Sequence, residues 1–411
     1  MNKNKNARAT VAVLGAGIMG SSVALYLARM GLNVKLFDQA DRPFTGASRW
    51  NEGKIHLGYL YGADPSLKTA RKLIPGGLAF PALVSDLVGR QLGTDMVTNH
   101  NDRYLIHRDS VVAPEEAFAL ATKVALLCEQ HEAADSYFVP LKNAMPRRLS
   151  VSEYNTEHIV AGFEVPERSV STNRIADYYV EALQASQNIK LVMGLKVAAV
   201  QQKSAGGERW FVDTLDAAGE KNSFGPYDSV VNTLWEGALA VDATVGLLPP
   251  LTWTHRYRLS LFAKCKQPVK LNSAVVGFGP FGDIKNYDGR HLYISWYDSG
   301  LLSEGHDLHP PVVHLPGPDA ELNIVKEKLS KLGSLIPGVS GLLAHFESYS
   351  LKGGWVYAAG QGALSDRQSD LHRRDKAGLS SKGRYYSVDT GKYSIAPLLA
   401  RKLADELVNK L

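Results

Sequence analysis

Residues 10–38, TVAVLGAGIMGSSVALYLARMGLNVKLFD, admit few folds. Val11 to Leu14 form a short apolar run suited to a buried parallel strand, and Gly15, Gly17 and Gly20 follow it as GxGxxG. Gly15 allows the tight turn out of the strand, Gly17 lets the backbone approach a pyrophosphate, and Gly20 lets the next helix pack closely on a sheet. Val23, Leu27 and Met30, with Ala24 and Ala28, give that helix an apolar face, and Gly31 sits where a C-terminal cap is expected. A second strand, Val34 to Phe37, ends at Asp38, the place of the acid that hydrogen-bonds an adenosine ribose. Strand, glycines, helix and acid in register predict a dinucleotide half-site on an α/β sheet, with Ala16, Ile18, Met19 and Gln39 beside them. NAD and FAD share that half-site, so the motif alone leaves both open.

A chain of 411 residues, 45% of them hydrophobic and 21% charged, is long enough to bury two cores, so two domains are expected. Forty-six Lys and Arg against 41 Asp and Glu leave +5, spread along the chain rather than gathered into a stripe. That pattern argues against nucleic acid and suits a small anionic substrate. Cys128 and Cys265 show no CxxC or Cys/His ligand spacing, so neither a disulfide framework nor a metal site is expected, and a reducing compartment is. The polar start MNKNKNARAT has no apolar signal core, and no segment reaches the roughly 18 apolar residues of a membrane span. A soluble, cytoplasmic protein is the expectation.

Beyond Asp38, residues 44–70 read FTGASRWNEGKIHLGYLYGADPSLKTA. This stretch resembles the D-amino acid oxidase-like family of FAD-dependent oxidoreductases, in which a loop containing Ser and Gly follows GxGxxG and runs under the flavin. The resemblance implies that Ser48, Arg49, Lys54, Ile55 and His56 border the cofactor. IHLGYLYGADPSLK is similar to the corresponding part of L-2-hydroxyglutarate dehydrogenases, while the overall layout equally resembles glycine and sarcosine oxidases.

Three further stretches carry the likeness. Residues 163–200 read as loop, helix and a strand near Val197, whose backbone in this family meets the adenine. YDSVVNTLWEGA, residues 227–238, resembles a strand and turn usually written VV-N/A-A-x-G, with Thr233, Leu234 and Trp235 here in the turn and the expected glycine absent. Residues 383–407 resemble the C-terminal flavin segment, ending in a helix with Pro397 in its first turn and Leu399, Leu403, Leu407 and Leu411 on one face. There Gly391, Lys392 and Tyr393 are implied to bring N–H groups to the flavin pyrimidine edge and stabilise the charge that reduction places on it. A nicotinamide enzyme has no need of such a segment, so the resemblance selects FAD, held non-covalently, with O2 or another electron acceptor.

The implied fold is α/β: a discontinuous Rossmann-like FAD-binding domain (residues 1–80, 155–245 and 345–411) and a mostly antiparallel substrate domain (81–154 and 246–344). EEAFALATKVALLCEQHE, residues 115–132, predicts a helix, and 251–300 alternates in strand fashion.

A carboxylate-bearing substrate calls for an arginine and aromatic walls. Arg256 and Arg258 share a strand face with Tyr257 opposite, and Arg374 precedes the flavin segment. Arg258, Tyr257 and His56 are the expected catalytic set. His56 is able to serve as a base near neutral pH, as a flavin attachment point, or simply as packing. Tyr59, Tyr61, Tyr293, Trp296 and Tyr297 read as site walls or as core; Asp389 reads as a turn cap beside Lys392. The expected reaction is oxidation of the C–N bond of a small amine or amino acid. Oxidation of a 2-hydroxy acid, or action on a larger biosynthetic intermediate, are the alternatives.

Overall fold

The computed structural model describes residues 8–203 and 209–411; the polar residues 1–7 and the stretch 204–208 lie outside it. A six-stranded sheet runs in the order Gly378–Lys382, Tyr385–Asp389, Ser229–Asn232, Thr10–Leu14, Asn33–Phe37, Ile189–Val192. All its pairs are parallel except the first, which is an antiparallel hairpin. Val11, Ala12, Val13 and Leu14 are wholly buried because helices cover one face of this sheet and a three-stranded meander the other. The helix Ile18–Arg29 is buried from Ile18 to Ala28, packed under the Thr172–Ala185 and Ala396–Lys410 helices. Leu399, Leu403 and Leu407 make that last contact, as their spacing requires.

A nine-stranded sheet forms the second layer, antiparallel throughout except where Ala274–Gly277 runs parallel to Asp102–His107. Two expected boundaries move: Ile159–Val165 and Phe346–Ala359 both belong to this sheet, not to the nucleotide-binding segments 155–245 and 345–411. The long strand Trp253–Cys265 exposes an edge that only Phe346–Ala359 is placed to cover, and their pairing runs its full length.

Register sorts this sheet into two faces. Phe262 lies opposite Tyr293, Tyr293 opposite Lys285, Ser295 opposite Asp283, and Val275 opposite both Asp283 and Tyr104. Residues paired across strands share a face, so these side chains point one way. Leu259, Leu261, Ile284, Ile294, Val276 and Leu105 point the other, onto Val325, Leu329 and Leu332 of the Pro318–Gly333 helix. The polar face is the one that meets the first layer, through Trp50 on Phe262.

Residues 68–88 form one helix despite Pro75, Gly76, Gly77 and Pro81, a combination that reads as a breaker. The glycines answer a tertiary demand. A Cβ on Gly77 would stand 2.7 Å from the His56 carbonyl oxygen, and one on Gly76 2.8 Å from Ile395 Cα.

Candidate active site

The nucleotide turn has no room for side chains. Gly15 adopts φ +95°, and a Cβ there would meet the Thr233 carbonyl at 2.8 Å; a Cβ on Gly20 would meet the Gly15 carbonyl at 1.9 Å. Gly17 abuts Ser48, whose hydroxyl accepts from Ile18 N–H at 3.0 Å. Asp38 accepts from Ala16 N–H (2.7 Å) and Ala40 N–H (2.9 Å), one bond to each oxygen, and burial pushes its carboxyl above the usual range. Leu195 N–H bonds to the Asp38 carbonyl and Gly194 N–H to that of Ala40, which brings the strand carrying Val197 to Asp38 and Gln39. The 18–29 helix has no side-chain cap from its own N-cap residue, so beyond the Ile18 N–H held by Ser48 the next N–H groups of its first turn are left for an anion. A close glycine turn, an uncapped helix start and a carboxylate with lone pairs to spare fit a dinucleotide.

Trp235, where the related pattern has glycine, adopts φ +59°. The backbone therefore keeps the left-handed conformation, at the strain a bulky residue bears there. Its Nε1–H donates to the Trp355 carbonyl (2.8 Å), which holds the ring in place. Next to it, burial pushes the Glu236 carboxyl up to about 7, with the charge of Asp38 adding to the shift.

His56 is 1% exposed, and neither ring nitrogen has a hydrogen-bond partner among the described residues. Its Nε2 lies 3.5 Å from Glu52 Oε1. Burial pulls the imidazole down to about 4, with the charge of Lys392 adding, so it is neutral at pH 7. Glu52, despite its own burial, is held below the usual carboxylate range by His56 and Lys392. The C-terminal turn and the 52–56 segment thus meet. In that turn Gly391 takes φ +65° and its N–H is capped by Asp389 at 2.9 Å, while Tyr393 packs on Phe80.

The polar sheet face carries Tyr293, whose hydroxyl Ser260 engages at 3.0 Å; Asp283, Glu52 and Arg258 all act on its ionisation. The Arg258 guanidinium stands 4.6 Å above the Tyr297 ring, and Arg256 Nη1 donates to Tyr297 Oη at 2.9 Å. Arg258 Nε and Nη2, and Arg256 Nε, are buried without acceptors. Lys328, wholly buried, donates to the Trp296 carbonyl at 3.3 Å, and burial pulls its amine down to about 7, Arg258 adding to the shift.

A second group of buried charges lies on the same face and is closed on itself. Lys54 pairs with Asp102 and with Glu167 Oε2 (3.0 Å); Lys285 donates to both Asp102 oxygens (2.7 and 3.0 Å); Tyr104 Oη donates to Glu167 (2.7 Å). The other Glu167 oxygen accepts from Leu57 N–H at 2.7 Å, fixing the segment that carries His56.

The structure gathers Gly15, Ala16, Gly17, Ile18, Met19, Gly20, Asp38, Ser48, Thr233 and Trp235 around one turn, and Ile55, His56 and Lys392 around a second centre. Other expected residues stand apart. The Lys54 ammonium turns into the closed charge cluster, and the Arg49 guanidinium pairs with Asp177 at 2.6 Å. Tyr257 packs edge-on against Trp355, on the Glu236 side and away from Arg258. Arg374 gives Nη1 to the Leu371 and Arg373 carbonyls, with Tyr61 and Arg256 near enough to act on its charge. Sequence reading missed Glu52, Asp102, Glu167, Lys285, Glu236 and Lys328. For Asp102 and Lys285 the available signal was charge within a strand pattern, in DRYLIH and GDIKN.

The sequence matches the family model described as FAD dependent oxidoreductase over residues 10–362. Among curated proteins none matches it significantly. The fold is similar to that of glycine oxidase from Geobacillus kaustophilus (TM-score 0.65, 17% identity, covering 98% of this chain and 95% of that one). It is also similar to L-α-glycerophosphate oxidase from Mycoplasma pneumoniae (0.60, 16%, 98% and 95%) and L-amino acid deaminase from Proteus myxofaciens (0.61, 13%, 100% and 92%). Among the described residues no helix is long and apolar enough to cross a membrane, and no cluster of His, Cys, Asp and Glu suits a metal.

Proposed function

Because the chain belongs to the D-amino acid oxidase-type family of FAD-dependent oxidoreductases, we propose that it oxidises the C–N bond of a small amine or amino acid bearing a carboxylate. The observation that carries this reading is Arg258, a guanidinium with two buried nitrogens lacking acceptors, on the strand face of Phe262, which packs against Trp50 of the segment leading to His56. A carboxylate supplies what that group lacks. The solved folds most like this one include a glycine oxidase and an L-amino acid deaminase, which favours nitrogen over oxygen at the reacting carbon.

In this reading Arg258 and Arg256 orient the substrate carboxylate, with Tyr293 and Tyr297 as walls that exclude water. His56, neutral at pH 7, takes a proton from the substrate nitrogen, and Glu52 beside it stabilises the imidazolium that forms. FAD held at this site would supply the hydride acceptor for the substrate carbon, with O2 or another acceptor to take the electrons onward. The resulting imine is then hydrolysed by water to a carbonyl compound and an amine or ammonia. Gly15 to Gly20, Asp38, Ser48 and Thr233 hold the cofactor, non-covalently, with Lys392 and Gly391 toward the flavin. Two free, buried cysteines suit a reducing compartment, the cytoplasm.

Anaerobic mixing with a panel of amino acids, amines and 2-hydroxy acids tests the reading through bleaching of the flavin bands. Reduction by at least one carboxylate-bearing amine is expected, with Arg258→Met raising KM by roughly 100-fold or more, the loss of a charge-assisted bidentate contact. Reduction by hydroxy acids alone overturns the C–N assignment. Flavin that stays with acid-precipitated protein overturns the non-covalent one.

A further inference from the structure

A groove of about 830 Å³ opens between the C-terminal half of the 68–88 helix, the connection that follows it and residues 136–139. That volume lies in the range of sites that enclose a small molecule. Neither His56, Arg258 nor any residue of the nucleotide turn lines it. Its walls include Pro81, Ala82, Leu92, Phe138 and Val139.

Among the residues lining this groove is Arg168, 7% exposed. Its Nη1 is tied to the His100 carbonyl (2.7 Å) and to Asn101 Oδ1 (2.8 Å), which fixes the guanidinium plane. Nε and Nη2 have no acceptor among the described residues, yet they are not among the polar atoms sealed from solvent. No described carboxylate pairs with Arg168. The other charged residues of the groove are spoken for: Asp86 pairs with Arg29 at 2.9 Å and Arg90 with Glu181 at 2.6 Å. The buried lysines of the neighbouring charge cluster, by contrast, are neutralised, since Lys54 and Lys285 are both closed by Asp102. A cation this deeply placed without a counter-charge is costly, and a fixed planar fork is the geometry that receives a carboxylate.

We propose that this groove is a second ligand site, separate from the flavin site, which takes a small carboxylate with an apolar aromatic or branched aliphatic body. The carboxylate meets the open edge of Arg168, and the body lies against Pro81, Leu92, Phe138 and Val139. Arg168 belongs to the strip that grips the flavin-side segment: its carbonyl accepts from Ile55 N–H at 2.9 Å, and Glu167 holds Leu57.

Isothermal titration of the FAD-loaded Arg258→Met protein with phenylacetate and 4-methylpentanoate tests this, because that substitution removes the carboxylate contact assigned to the flavin site. One saturable site per chain is expected, with phenylacetamide, the uncharged analogue, binding at least tenfold more weakly. Ala82→Trp and Val139→Trp, added singly, narrow the groove without touching Arg168 and are expected to weaken phenylacetate binding tenfold or more. Arg168→Met is expected to do the same where it folds. No binding at millimolar phenylacetate, equal binding of the amide, or unchanged affinity in both tryptophan variants overturns the proposal.

Discussion

Replacing Asp102 by Asn tests whether the closed charge cluster is as consequential as its geometry implies. Asp102 is the acid shared by two buried lysines, Lys54 and Lys285, and all three are no more than 3% exposed. In Asp102→Asn the amide retains the shape and loses the charge. Lys54 keeps Glu167 at 3.0 Å, whereas Lys285 is left with only Asp283, 4.0 Å away. Removing one partner of a buried ion pair costs about 3–5 kcal/mol, because the remaining charge is uncompensated. At about 2.1 cal/mol/K of unfolding entropy per residue over 411 residues, that corresponds to a fall in melting temperature of roughly 3–6 °C. Urea unfolding of the FAD-loaded protein, wild type against variant, reads the difference directly. The double substitution Asp102→Leu with Lys285→Met removes both charges and is expected to recover a large part of the loss. A loss below about 1 kcal/mol for Asp102→Asn refutes the reasoning, since an exposed pair behaves that way. The pH dependence has a fixed sign. Burial opposes ionisation of Asp102, but Lys285 and Lys54 win and hold the carboxyl down to about 2. Its folded-state value lies below the unfolded one, so its contribution is complete above about pH 4 and is lost as pH falls through about 2.

Other expectations follow from single observations. As pH rises through about 7, Glu236 ionises beside Asp38, so the apoprotein's affinity for FAD should fall several-fold or more, and Glu236→Gln should flatten the profile. Fluorescence titration with FAD checks this; parallel curves for both proteins count against it. Gly20→Ala should abolish FAD retention, since its Cβ meets backbone at 1.9 Å, while Gly17→Ala, which meets only the movable Ser48 hydroxyl, should weaken it by a smaller factor. The acid limb of kcat/KM for the reacting amine should fall near pH 4, where His56 titrates, and Lys392→Met should move it upward by removing a cation that opposes protonation. A limb near 6.5 that does not move with Lys392 would assign it to another group.

What the sequence made legible is what short-range chemistry determines. The strand, glycine turn and helix of residues 10–38 are each set by neighbours a few positions away, and the structure keeps them, with Gly31 at φ +86° after the helix. The 253–265 strand and the C-terminal helix were readable for the same reason. The helix over 68–88 was not: Pro75 and the glycine pair argue locally against it, and its justification lies in the close passage of His56 and Ile395, known only after folding. Ile159–Val165 and Phe346–Ala359 were placed in the wrong layer because strand order in a mixed sheet is set by pairings between distant segments.

The charge cluster escaped for a sharper reason. In DRYLIH and GDIKN a charged residue alternates with apolar ones, which is also how a half-exposed strand reads. Asp102 and Lys285 are buried where Lys54 closes over that face, and the two partners are 183 residues apart. Once covered, a charge must be answered, and Lys54, Asp102, Glu167 and Lys285 answer one another. His56, Arg256 and Arg258, buried within the same two-layer contact, are not answered by the protein. Trp235 likewise holds a conformation its side chain disfavours. A chain able to satisfy one buried polar group so thoroughly has left others open next to it. In the function proposed above those open groups border the space where cofactor and substrate meet, which is where unspent hydrogen-bonding capacity has a use.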